Sequence, residues 1–127
     1  ELVEEFADCW FMYSKPPERV AELIAPMRAR RANRPFEVAL SAVCLSGKSA
    51  AETRRWAEMY ADERKHRFAV PPTVEDVLQS NLVGDAKAMT ERIDQWAQAG
   101  VDYIVIQPMP PVEGTRFFGE QVLQHYL

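Results

Sequence analysis

A chain of 127 residues and 14.5 kDa has room for one domain of ordinary size and not for two with independent cores. Its 47% apolar content and mean hydropathy of −0.30 disfavour disorder, and no apolar run approaches the roughly 20 residues of a membrane span. A net charge of −4, from 15 Lys and Arg against 19 Asp and Glu, gives no support to a nucleic-acid role built on phosphate contacts.

Residues 1–7 read as the last turns of a helix, and the acidic ELVEEF lacks the basic-then-apolar pattern of a secretory leader. Asp8–Tyr13, DCWFMY, is short, aromatic and almost wholly apolar, the pattern of a strand buried on both faces. Ser14-Lys15-Pro16-Pro17-Glu18 then reads as a helix start, with a capping hydroxyl and prolines in the first turn. Val20, Leu23, Ile24 and Met27 give that helix one apolar face, and Pro26 predicts a kink or an early end. Arg28, Arg30, Arg31 and Arg34 read as a solvated helix end, favoured at the negative pole of the dipole.

Phe36–Ser46 is the second apolar strand. Ser49-Ala50-Ala51-Glu52 has the spacing of a capping box, and Trp56, Ala57 and Tyr60 form the stripe of the helix behind it. Residues 64–80, with two prolines, a basic cluster and mixed periodicity, read as an excursion from the core. A long helix follows Gly84-Asp85, carries Met89, Ile93, Trp96 and Ala97 on one face and closes at Gly100. Asp102–Gln107, DYIVIQ, is the third strand, which Pro108, Pro110 and Pro111 stop. A final helix from about Thr115 turns Phe118, Val122 and Tyr126 inward.

Cys9 and Cys44 both lie in apolar runs without paired spacing, so they read as two buried thiols of a reducing, cytoplasmic compartment, and no metal site is expected. Strands alternating with helices imply an α/β fold with a parallel sheet and right-handed crossovers. Three such apolar strands make a poor sheet alone, because both faces and both edges need cover. The chain is therefore expected to be part of a larger α/β assembly.

The block Leu82–Leu123, LVGDAKAMTERIDQWAQAGVDYIVIQPMPPVEGTRFFGEQVL, resembles the end of the bacterial luciferase-like flavin monooxygenases: a Val-Gly, an acidic helix start, an amphipathic helix to Ala-Gly-Val-Asp, an apolar strand and a Phe-rich helix. The order of the upstream elements agrees over nearly all 127 residues. The resemblance implies that residues 1–127 are the C-terminal segment of a (β/α)8 TIM-type barrel. Cys9–Tyr13, Glu37–Leu45 and Tyr103–Gln107 would match its sixth, seventh and eighth strands, with 64–80 as an inserted lid. The N-terminal part of the same barrel is the implied partner, with a small-molecule substrate and a homo-oligomeric assembly. The loop that holds the flavin phosphate in the family would lie just before Glu1.

The implied activity is oxygenation of a small organic substrate through a peroxyflavin formed on reduced FMN that a reductase supplies. Deazaflavin-dependent hydride transfer on the same barrel is the alternative, and a non-catalytic flavin-binding or scaffold lobe is a third reading. Barrel active sites lie at the C-terminal strand ends, here Tyr13 and Ser14, Cys44 to Ser46, and Gln107 to Met109. Tyr13 caps a flavin or substrate pocket in this reading, or is a plain packed or surface tyrosine. Gln107 reaches a ring edge or satisfies loop backbone. Cys44 and Ser46 have no His or acid beside them in sequence, so no nucleophile and no catalytic residue is assigned. Lys65, His66 and Arg67 in the lid are candidates to close over an anionic substrate, against the plain reading of a solvated charge run.

Overall fold

The computed structural model describes residues 2–31 and 34–127, without the side chains of Leu2 and Glu4. A short helix α1 (Leu2–Phe6) leads into strand β1 (Cys9–Tyr13), helix α2 (Pro17–Arg30) and strand β2 (Glu37–Leu45). Two helices follow, α3 (Ala50–Arg64) and α4 (Val74–Ser80), then a two-residue strand β3 (Leu82–Val83) and helix α5 (Ala86–Gln98). Strand β4 (Tyr103–Met109) and helix α6 (Pro111–Phe117) come last, and α6 continues through a wide turn and a tight one to Tyr126.

All pairings are parallel, as the alternation of strands and helices requires. β2 is the central strand, paired with β1 from Glu37 to Ser41 and with β4 from Ala39 to Leu45. β3 pairs Cys44 and Leu45, which β4 also pairs, so β3 lies on the β1 side and continues that edge after a gap. Sequence reading misses β3, because two residues carry no periodicity.

The period-2 geometry of the strands splits the sheet into two unlike faces. One bears Met12, Val38, Leu40, Ala42 and Cys44, buried with Val20, Ile24 and Met27 of α2 and with Met89 and Trp96 of α5. The indole Nε1 of Trp96 donates to the carbonyl of Lys15 at 2.9 Å, which ties α5 to the end of β1. On the other face only the C-terminal end is covered: Val43 and Leu45 pack under Ala57 and Ala61 of α3 and Val77 of α4. Farther down, Phe11, Tyr103 and Val105 are about half exposed. Thus α5 packs with α2 against the covered face, while α3 and α4 form a roof over one end of the opposite face.

Several sequence expectations change here. β1 is not buried on both faces, and Cys9 is exposed rather than buried, because none of the described helices covers its side of the sheet at that level. Apolar composition reports what a strand tolerates, not which face is covered. Pro26 does not end α2, which runs on to Arg30. Pro108 lies inside β4, which among the described residues is paired on one side only. The last helix begins at Pro111 rather than Thr115, and Tyr126 is exposed. Ala97 likewise faces out of α5.

The arginine run is not simply solvated. Arg28 donates to the carbonyls of Phe36 and Gly100 and pairs with Asp102 at 2.7 Å, while Asp102 accepts from the amide of Val38. Gly100 sits at φ +101°, a backbone angle that favours glycine. Arg31 is buried, donates to the carbonyl of Ala7 and lies 5.0 Å over the ring of Phe36. These cations stitch helix ends to the N-terminal ends of the strands. No helix among the described residues is long and apolar enough to cross a membrane.

Candidate functional site

The alternation that leaves one face open also decides what it carries. Tyr13, Ser41 and Gln107 fall on it from three adjacent strands, since Tyr13 pairs with Ser41 and Val43 with Gln107. Their level is the C-terminal half of the sheet, the end at which parallel α/β folds hold their ligands. The Gln107 amide donates to Ser41 Oγ at 3.0 Å, and its Oε1 faces the Arg64 guanidinium at 3.4 Å. Arg64 closes α3 and lies 4.9 Å over the ring of Tyr60, one turn earlier on the same helix.

A cavity of about 260 Å³ opens between this end of the sheet and the roof. Tyr13, Ser41, Tyr60, Arg64, Phe68 and Asn81 are among its lining residues. The rings of Tyr13 and Phe68 meet edge to face at 5.7 Å. Burial, partly offset by Arg64, pushes the Tyr60 hydroxyl above its ordinary pKa. Asn81 closes the gap between β1 and β3: its Oδ1 accepts from the amide of Val43 and from Ser14 Oγ, and its Nδ2 donates to the carbonyl of Val77. One buried side chain thereby satisfies an amide of β2 that no strand reaches.

Tyr13 and Gln107 are thus brought together, one on each side of Ser41. Lys65, His66 and Arg67 are exposed in the turn after α3 and are not among the residues lining the cavity. Lys65 pairs with Asp62 at 2.6 Å and holds that carboxyl below its ordinary pKa. The 64–80 stretch is part helix, with α4 capped by Thr73 and Asp76 in mutual exchange. Cys44 lies on the covered face, its thiol pushed up to about 12 by burial, so it is no nucleophile. Ser46 donates its amide to the carbonyl of Met109.

Sequence reading misses Ser41, Arg64 and Asn81. Ser41 is the one hydroxyl between Val38 and Cys44 and lies at even spacing from Ala39 and Val43, a signal that was available. Arg64 stands four residues after Tyr60 and was hidden in a basic run. No local pattern marks Asn81.

The polar and apolar mixture on the open face fits the edge and face of a planar heterocycle: Gln107 and Ser41 offer hydrogen bonds, Phe11 and Val105 a flat apolar surface. The Gly47 and Lys48 amides of the loop after β2 are not free for a phosphate, since Thr53 Oγ1 holds the first and Glu52 the second. A Cβ at Gly47 would come within 2.5 Å of the Thr53 amide nitrogen, so that loop is tightly set. Among the described residues no group of three or more His, Cys, Asp or Glu could hold a metal ion.

No protein-family model and no curated protein sequence matches the chain. Solved structures do. An F420-dependent secondary alcohol dehydrogenase in complex with an F420-acetone adduct aligns over 96% of this chain and 44% of its own, with a TM-score of 0.75 and 15% identity. A riboflavin lyase with modified FMN and substrate riboflavin aligns over 97% and 39%, with a TM-score of 0.66 and 16% identity. An EDTA monooxygenase from Chelativorans sp. BNC1 aligns over 98% and 40%, with a TM-score of 0.66 and 18% identity. The chain spans less than half the length of each of these proteins. In fold, then, this chain is an α/β segment with the architecture of part of each of these three enzymes, in line with the fold that the sequence resemblance implies.

Proposed function

We propose that this chain forms part of a flavin- or deazaflavin-dependent oxidoreductase of the luciferase-like kind. It would contribute three neighbouring barrel strands, β1, β2 and β4, with the roof of α3 and α4 over their C-terminal ends. The observation that carries this reading is the Ser41–Gln107 pair, a polar couple on an open sheet face where Phe11 and Val105 are exposed. The outer edges of β1 and β4 are unpaired among the described residues, and the same face leaves Phe11, Tyr13, Tyr103 and Val105 exposed. Further parallel strands from the rest of the barrel would cover both.

In this reading Gln107 holds the ring edge of the cofactor, with its amide turned by Ser41 and Arg64. Tyr13 and Phe68 wall the adjoining cavity, and the roof excludes water from it. The bound flavin would supply the two-electron redox chemistry, as cofactors do. FMN-dependent monooxygenation of a small organic substrate is the form first proposed. The deazaflavin form is the second reading, supported by the likeness in fold to an F420-dependent dehydrogenase.

The test is spectroscopic. The full-length gene product, mixed in turn with FMN and with coenzyme F420, is expected to retain one of them through gel filtration. Gln107→Ala should weaken that retention by about tenfold, the scale of one or two lost polar contacts, with the melting temperature unchanged. Oxygen uptake with reduced FMN separates the first form from the second. Retention of neither cofactor would refute the redox reading.

A further inference from the structure

Arg64 is a half-buried cation with few partners, on the wall of the aromatic-lined cavity. A guanidinium carries five N–H donors, and here a single acceptor, the neutral Gln107 Oε1 at 3.4 Å, stands near them. Its Nε is buried without a partner. No carboxylate lies within ion-pair distance among the described residues, whereas Arg19, Arg28, Arg34 and Arg54 all have one. A half-buried charge left so open is costly unless something else completes it. The cavity's own carboxylate, Asp76, is engaged by Thr73 through both amide and hydroxyl. Lys15 adds a second cation to the lining.

We propose that Arg64 is the residue that recognises an anion in this cavity, and that the ligand is a small organic molecule with an apolar or aromatic body and a terminal oxyanion. The Tyr60 ring holds the guanidinium by a cation–π contact and Gln107 accepts from one of its nitrogens, which leaves its other donors for a ligand. Tyr13 and Phe68 provide an aromatic wall for the body, and Val70, Pro71 and Pro72 add apolar surface. The part of the cavity that this chain encloses has a volume of about 260 Å³, below the roughly 300–1,000 Å³ of drug-sized sites, so single-ring anions are the probes of choice. That the ligand is the substrate of the enzyme rests on the oxidoreductase reading above.

The probes are benzoate, phenyl phosphate and neutral benzyl alcohol, titrated calorimetrically into the full-length gene product. The two anions are expected to bind at least about tenfold more tightly than the alcohol, the scale of a charge-assisted hydrogen bond. The tighter of the two anions identifies the head group as carboxylate or phosphate-like. Arg64→Gln should abolish that preference and leave benzyl alcohol within about twofold, whereas Arg55→Gln, an exposed change on the same helix, should alter none of the three. Arg64→Lys should keep a weakened preference, since an ammonium binds an oxyanion without the fork. Equal affinities for all three probes in the unaltered protein would overturn the proposal, and that comparison stands even if Arg64→Gln does not fold. An equal loss for all three on Arg64→Gln would overturn it too. Cofactor retention is read separately: a protein that retains flavin without anion preference sinks the role of Arg64 alone, and an Arg64-dependent preference without cofactor supports that role while sinking the redox reading.

Discussion

Asn81 accepts twice and donates once through its side-chain amide, at a place where the sheet edge is broken. Removing it leaves the Val43 amide buried and unpaired, at a cost of about 1–3 kcal/mol. Asn81→Ala is therefore expected to lower stability by that amount in urea titration, with Asn81→Asp intermediate because it keeps the acceptor. The two thiols diverge as well. Cys9 is exposed and should be alkylated by iodoacetamide in the native protein at pH 8, while Cys44 should be labelled only after denaturation. The folded pKa of Cys44, about 12, lies above the ordinary 9.0. Its contribution to stability is complete below pH 9 and is lost as pH rises from there toward 12. Denaturation midpoints from pH 8 to 11 should fall more steeply for the native sequence than for Cys44→Ala. Which cysteine is buried was not legible in the sequence, since DCWFMY and ALSAVCLS are equally apolar and differ only in what lies across from them.

Helix α4 shows how an element follows from four residues. Thr73 accepts from the Asp76 amide and Asp76 accepts from Thr73, so each satisfies a donor that a helix start leaves free. The same bonds hold the Asp76 carboxyl below its ordinary pKa of 3.8. That stabilisation is present above the ordinary value and is lost as pH falls through the folded one. Thr73→Ala should cost about 1 kcal/mol at pH 7, read as a shift of the urea midpoint, with a smaller difference from the unaltered protein below pH 3. At this scale much was legible. The apolar runs marked β1, β2 and β4, the prolines marked the start of α2, and Gly100 marked the end of α5. The rest depended on long-range contacts: α4 is seven residues behind two prolines, β3 exists only because Cys44 and Leu45 have a free edge, and α3 could not be told from a covering helix of the other face. The candidate site was half legible, because Tyr13 and Gln107 stand at strand ends while Ser41 and Arg64 matter only through each other's company.

The molecule as a whole is covered on one side and open on the other. Phe11, Tyr13, Tyr103 and Val105 are each 49–58% exposed on one sheet face, a contiguous apolar area of the kind that marks an interaction surface. Expressed by itself, the 127-residue chain is expected to bind the dye ANS and to self-associate in light scattering. Phe11→Lys should reduce both without lowering helix content in circular dichroism. A monodisperse, dye-silent monomer would contradict this. The seam closed by Asn81 bears on how such a molecule changes over generations. The stretch from Lys65 to Pro72 contributes no rung to any ladder, and the amide that a longer strand would have served is already occupied. Lengthening or shortening that stretch therefore alters the rim of the cavity without fraying the sheet, so the selectivity of the mouth can drift while its foundation stays put.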